Sequence, residues 1–157
     1  MKIASDILDI AQEKKIMIAT AESCTGGMVA VALTDIPGSS AVIERGFVTY
    51  TNDAKREMLD VHATTLEAHG AVSEEVAAEM AQGALARSRA QMAVSITGIA
   101  GPGASEYKPE GRVCFGLAFD ESVVTETIEF GALGRDAVRR GARDHALGLL
   151  LKSLCAD

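Results

Sequence analysis

With 157 residues and a mass of 16.4 kDa, the chain has the commonest domain size, so residues 1–157 are expected to fold as one domain. A net charge of −7 excludes a general nucleic-acid binder, which would carry a basic footprint. No apolar run approaches the ~20 residues that span a bilayer, and no signal-peptide apolar region follows Met1, so no membrane role and a cytoplasmic location are expected.

In chain order, Ile3, Ile7, Leu8 and Ala11 recur at helical spacing and predict an amphipathic helix over about 3–14. The apolar run Ile16 to Ala21 reads as a buried strand, interrupted by Ser23-Cys24-Thr25-Gly26-Gly27. A small-residue helix from Met28 to Leu33 stops at Asp35-Ile36-Pro37-Gly38. A second strand covers roughly Val42 to Tyr50, and Asn52 is the expected N-cap of a short helix carrying Lys55. Thr64 and Glu67 have capping-box spacing. Ser73-Glu74-Glu75 opens a longer helix to about Ala90, its acidic first turn favoured by the helix dipole. Ala93 to Thr97 is a third strand, followed by a loop from Gly98 to Pro109. Val113 to Phe119 and Val123 to Phe130 flank Asp120-Glu121 as a hairpin, and Arg135 to Leu154 closes the chain as a helix. Helices alternating with buried strands predict an α/β fold, a three-layer α/β/α sandwich with a mixed, mostly parallel sheet. Aromatics are only 4% with no Trp, so its core must come from Ala, Val, Ile, Leu and Met.

Cys24, Cys114 and Cys155 form neither a C-x-x-C pair nor a secreted framework, and His62, His69 and His145 lack ligand spacing. Neither a metal nor a cofactor is therefore expected. Three polar segments remain at the expected carboxyl ends of strands, where ligands of such folds bind. In Thr20 to Gly27, a strand delivers Ser23 to a helix start whose unpaired amides suit a phosphate or an oxyanion; the plainer alternative is that Ser23 or Thr25 caps the helix. In Thr49 to Lys55, Tyr50 and Lys55 can face one cleft, and a desolvated Lys can serve as base for a Ser nucleophile. In Thr97 to Gly103, three glycines after a strand suggest a nest of amides around an anion.

In this order, TAESCTGG (Thr20 to Gly27), TDIPGSS (Thr34 to Ser40), GFVTYTNDAK (Gly46 to Lys55), HGAVSE (His69 to Glu74), TGIAGP (Thr97 to Pro102) and RDAVRR (Arg135 to Arg140) resemble the C-terminal domain of the competence/damage-inducible protein CinA. That is the family of nicotinamide-nucleotide amidases. The resemblance runs from about residue 5 to 150. It implies hydrolysis of nicotinamide mononucleotide to nicotinate mononucleotide and ammonia. The loop Gly103-Ala104-Ser105-Glu106-Tyr107 departs from the pattern in carrying fewer glycines and a Tyr.

On that reading Ser23 is the nucleophile, Lys55 its base, and Tyr50 orients or relays the proton. Amides of Thr25, Gly26 and Gly27 are oxyanion candidates. Gly98, Ala100 and Gly101, helped by Arg45 or Arg139, are candidates for the substrate phosphate. Ser39 and Ser40 are rival nucleophiles and substrate contacts, and a Lys-activated water is a further rival. The expected partner is a small-molecule nucleotide; a homo-oligomer stays open. The alternative from another class is a non-catalytic nucleotide-binding or regulatory module, which has no need of Tyr50 and Lys55.

Overall fold

The computed structural model describes residues 1–105 and 107–156. Its elements are α1 (Lys2–Lys14), β1 (Ile18–Glu22), α2 (Met28–Thr34), a 3-10 turn (Ser39–Ala41), β2 (Ile43–Val48), α3 (Asn52–Leu59), α4 (Ala63–His69), α5 (Glu74–Ala86), β3 (Met92–Gly98), β4 (Arg112–Phe119), β5 (Ser122–Glu129) and α6 (Arg135–Cys155). The departing loop thus includes one residue, Glu106, outside the described set.

The strands form a single sheet in the order β2-β1-β3-β4-β5. β1 pairs parallel with β2 and with β3, whereas β3–β4 and β4–β5 are antiparallel. Four strands therefore run one way and β4 runs against them, which makes the sheet mixed, with two parallel and two antiparallel pairings. Side chains alternate between its faces. Ile18, Met92, Val94, Ile96, Val113, Phe115 and Leu117 pack against α1, α2 and α6. Ala19, Ala21 and Ala93 face α3 and α5 on the other side, so the architecture has three layers.

The second face is built from small residues, and α5 sits very close to it. A Cβ at Gly116 would come within 2.6 Å of the Ala77 carbonyl of α5, which also accepts a hydrogen bond from Ser95 Oγ at 2.6 Å. A Cβ at Gly83 of α5 would meet the Leu59 carbonyl at 2.0 Å. Glycine at both positions lets backbone rest on backbone.

Three local expectations are corrected. Thr51, not Asn52, caps α3: its Oγ1 accepts from the Ala54 amide at 3.0 Å, and Asn52 is the first helical residue. Thr64 caps nothing, because α4 begins one residue earlier; Glu79 of α5 instead accepts from the His62 amide (2.8 Å) and Thr65 Oγ1 (2.6 Å). α5 ends at Ala86 rather than near Ala90, since Ser88 Oγ accepts from the Ala90 amide and offers the backbone a local alternative to the helix. The hairpin falls where expected. Asp120 and Glu121 take positive φ, as the twist of a two-residue loop demands.

Candidate active site

The parallel strands β1, β2 and β3 end together, and the three segments leaving them meet at one edge of the sheet. β1 releases the chain at Glu22. The Ser23 amide makes the last sheet-like bond, to the Ile96 carbonyl at 3.0 Å, and the Gly26 amide then closes back on the Ser23 carbonyl at 3.0 Å. Neither Ser23 nor Thr25 caps α2. The Glu22 carboxylate does so from the strand: buried, it accepts from Thr25 Oγ1 (2.6 Å), the Val29 amide (3.0 Å) and the Ala30 amide (3.1 Å). Sequence reasoning missed this, because a cap reaching seven and eight residues forward matches no local capping pattern.

β2 leads through Thr49 and Tyr50 to the Thr51 cap, which starts α3 so that Lys55 turns inward. Lys55 is 1% exposed and Ser23 7%. Lys55 Nζ lies 3.1 Å from Ser23 Oγ, 3.1 Å from the Thr49 carbonyl and 3.3 Å from the Tyr50 carbonyl. Ser23 Oγ is also 3.4 Å from the Tyr50 carbonyl. An amine within hydrogen-bond reach of a hydroxyl, both withdrawn from water, has the geometry of a general base beside a nucleophile. The part of Tyr50 that touches this pair is its backbone. Its ring is half exposed, and its hydroxyl accepts from Arg135 Nη2 at 2.8 Å.

A cleft of about 490 Å³ opens over the pair, walled by Thr97 to Ser105 on one side and by Tyr50 to Asn52 on the other. Arg135, in the first turn of α6, joins the walls: while one Nη reaches Tyr50, the other donates to the Gly101 carbonyl at 2.8 Å. Arg135 was not foreseen. It opens the RDAVRR stretch but carried no assigned role, because its place depends on how α6 crosses the sheet. The Gly103 amide is already occupied by the Glu110 carboxylate.

Of the residues singled out in the sequence, Ser23, Tyr50, Lys55, Gly98, Ala100 and Gly101 line this cleft. Thr25, Gly26, Gly27 and Arg139 do not. They border a separate depression behind the turn, where Arg139 Nε donates to the Cys24 carbonyl at 3.0 Å. With the Gly26 amide spent on Ser23, this segment does not present three free amides to the cleft. Ser39 and Ser40 sit in the 3-10 turn before β2, which in a parallel pair is the opposite end of the sheet. Arg45 pairs with Ala19 in β2, and its guanidinium is engaged by Glu44 and the Arg87 carbonyl. Cys24 lines the cleft, but burial pushes its thiol up to about 11, with the Glu22 carboxylate adding to the effect, so it is no thiolate at neutral pH. Among the described residues no three His, Cys, Asp or Glu side chains gather as a metal site.

The model of the CinA C-terminal domain family matches residues 1–154. The chain belongs to this family. Nicotinamide-nucleotide amidohydrolase PncC of Escherichia coli strain K12 is 50% identical over 151 residues, covering 96% of this chain and 92% of its own length. A CinA-like protein of Chlorobium phaeobacteroides is 54% identical over 145 residues, covering 88% of this chain; the chain spans only 34% of that longer relative. The crystal structure of competence/damage inducible protein CihA from Agrobacterium tumefaciens, 48% identical, has a TM-score of 0.94 and covers 99% of this chain and 94% of that one. Among the described residues no helix of this family member is long and apolar enough to cross a membrane.

Proposed function

We propose that this amidohydrolase hydrolyses the carboxamide of nicotinamide mononucleotide, giving nicotinate mononucleotide and ammonia. The likeness to PncC over nearly its whole length supports the activity and substrate. The observation that carries the mechanism is the buried approach of Lys55 Nζ to Ser23 Oγ at 3.1 Å on the cleft floor.

The Thr49 and Tyr50 carbonyls hold Lys55 Nζ beside the Ser23 hydroxyl, within reach of its proton. Ser23 Oγ attacks the carboxamide carbon as its proton passes to Lys55. The tetrahedral intermediate collapses when Lys55 returns that proton to the departing nitrogen, which leaves as ammonia. Water then adds to the acyl ester with Lys55 again the base, releasing nicotinate mononucleotide and the free hydroxyl. The phosphate lies toward Arg135 and the amides of Ala100 and Gly101, the cationic and amide-rich part of the lining. Arg45 and Arg139 are withdrawn from this role by their positions.

An ammonia-release assay without added metal tests the reading, comparing nicotinamide mononucleotide with free nicotinamide and with NAD. Fast release from the mononucleotide alone is expected. No release from it, or equal efficiency on nicotinamide, overturns the substrate assignment.

A further inference from the structure

Resting on the reading of Ser23 as nucleophile, we propose that Glu22 is a positioning residue that ties the nucleophile's turn to the cradle of its base. The argument starts from what each half of Glu22 holds. Its carboxylate, 1% exposed, fixes the turn through Thr25 Oγ1 and clamps the start of α2 through the Val29 and Ala30 amides. Its main-chain carbonyl accepts from the Thr49 amide at 2.9 Å. Thr49 and Tyr50 are the residues whose carbonyls hold Lys55 Nζ. One residue therefore secures the Ser23 side with its side chain and the Lys55 side with its backbone.

The local alternative is closed: α2 is seven residues long, and its N-cap, Gly27, offers no side chain and holds a φ of 109° that a Ser or Asp would adopt only under strain. A carboxylate reaching over from the strand adds what a local cap cannot: it locks the residues between strand and helix, and Ser23 is the first of them. A hydrogen-bonded carboxylate buried under the turn also resists displacement, since each group it releases is left without a partner. The 3.1 Å separation of Ser23 and Lys55 is thus set from below, by a residue that does not line the cleft.

Glu22→Gln keeps the shape but sets an N–H₂ group against the helix amides, where only acceptors fit. In the full chain, kcat on nicotinamide mononucleotide is expected to fall on the order of 100-fold, the effect of a displacement near 1 Å, while KM stays within about threefold. Thr25→Val, which removes one of the carboxylate's donors, lowers kcat in the same direction, and Thr25→Ser restores it. The pair Glu22→Gln/Thr25→Val is little worse than Glu22→Gln, as residues acting in one unit are non-additive. A wild-type kcat in Glu22→Gln, measured below its melting temperature and beside an inactive Ser23→Ala, overturns the positioning role alone. If Glu22→Gln does not fold, equal kcat values in Thr25→Val and Thr25→Ser overturn it instead. Full activity in Ser23→Ala overturns the nucleophile reading and this inference with it.

Discussion

Two glycine-bearing turns leave neighbouring strands at the same edge of the sheet, and they are used in opposite ways. After β1, Ser23 to Gly27 is cinched by Glu22, by Arg139 and by the turn's own amide–carbonyl bond, and it offers the cleft the Ser23 and Cys24 side chains. After β3, Gly98 to Ser105 is a long wall that offers the cleft backbone, braced at Gly101 by Arg135, at Gly103 by Glu110 and at Ser105 by the Lys108 backbone. Glycine content alone does not tell these apart. What separates them is where each amide is spent, a tertiary property that composition does not contain.

If the first turn carries the reacting atoms, Ser23→Ala and Lys55→Ala should each lower turnover by about 10³-fold or more, with the double substitution little worse than either. Steady-state ammonia release reads this directly. Substantial turnover in Ser23→Ala with none in Lys55→Ala would move the chemistry to an activated water. The second turn should respond in binding: Arg135→Ala is expected to cut kcat/KM on the mononucleotide by about 10- to 100-fold, the worth of one or two charge-assisted hydrogen bonds. Arg45→Ala, in the body of β2 with its guanidinium on Glu44 and the Arg87 carbonyl, should leave kcat/KM unchanged. An effect of Arg45→Ala as large as that of Arg135→Ala would show that the substrate reaches beyond the cleft described.

Smaller effects sharpen the contrast. Thr51→Ala should cost about 1 kcal/mol of stability through loss of the α3 cap, seen as a lower denaturation midpoint. The least disturbance should come from thiol chemistry. At pH 8 a Cys24 thiol with a value near 11 is only about one part in 10³ thiolate, and burial hinders access further. Exposed Cys155 should label first, leaving activity intact, and Cys24 should label only as pH rises toward 11 or the chain unfolds. Rapid labelling of Cys24 at pH 8 would mean that the first turn is far looser than its hydrogen bonds imply.

Much of this was legible in the chain before folding was considered. Apolar periodicity located the helices and strands to within a few residues, and the Ser23 and Lys55 segments were singled out by residue type and place. The failures share a cause. Ser39, Ser40 and Arg45 lie close in sequence to the site, but a parallel strand carries its beginning to the opposite end of the sheet from its finish. The roles of Glu22 and Arg135 were overlooked for the converse reason: each acts on groups outside any local pattern, at three, seven and eight positions for the Glu22 carboxylate and 34 and 85 for Arg135. Glu79 repeats the lesson on a smaller scale, since a side chain from another helix replaces the local candidate at the start of α4, whereas at Thr51 the cap moved by only one residue.

The narrow face beneath α5 bears on the cleft from a distance. Ala71 and Val72, at the head of α5, form part of the cleft lining, and Thr97 Oγ1 of β3 holds the Ala71 carbonyl at 2.8 Å. Because α5 rests on Gly116 and through Gly83 on the end of α3, its height above the sheet is fixed by the absence of side chains. A methyl group added at Gly116 must lift the helix, and the lining at its head would ride with it. The gauge of the cleft is therefore written partly in two glycines that never touch it, and selection on substrate size can act there without altering a single lining residue.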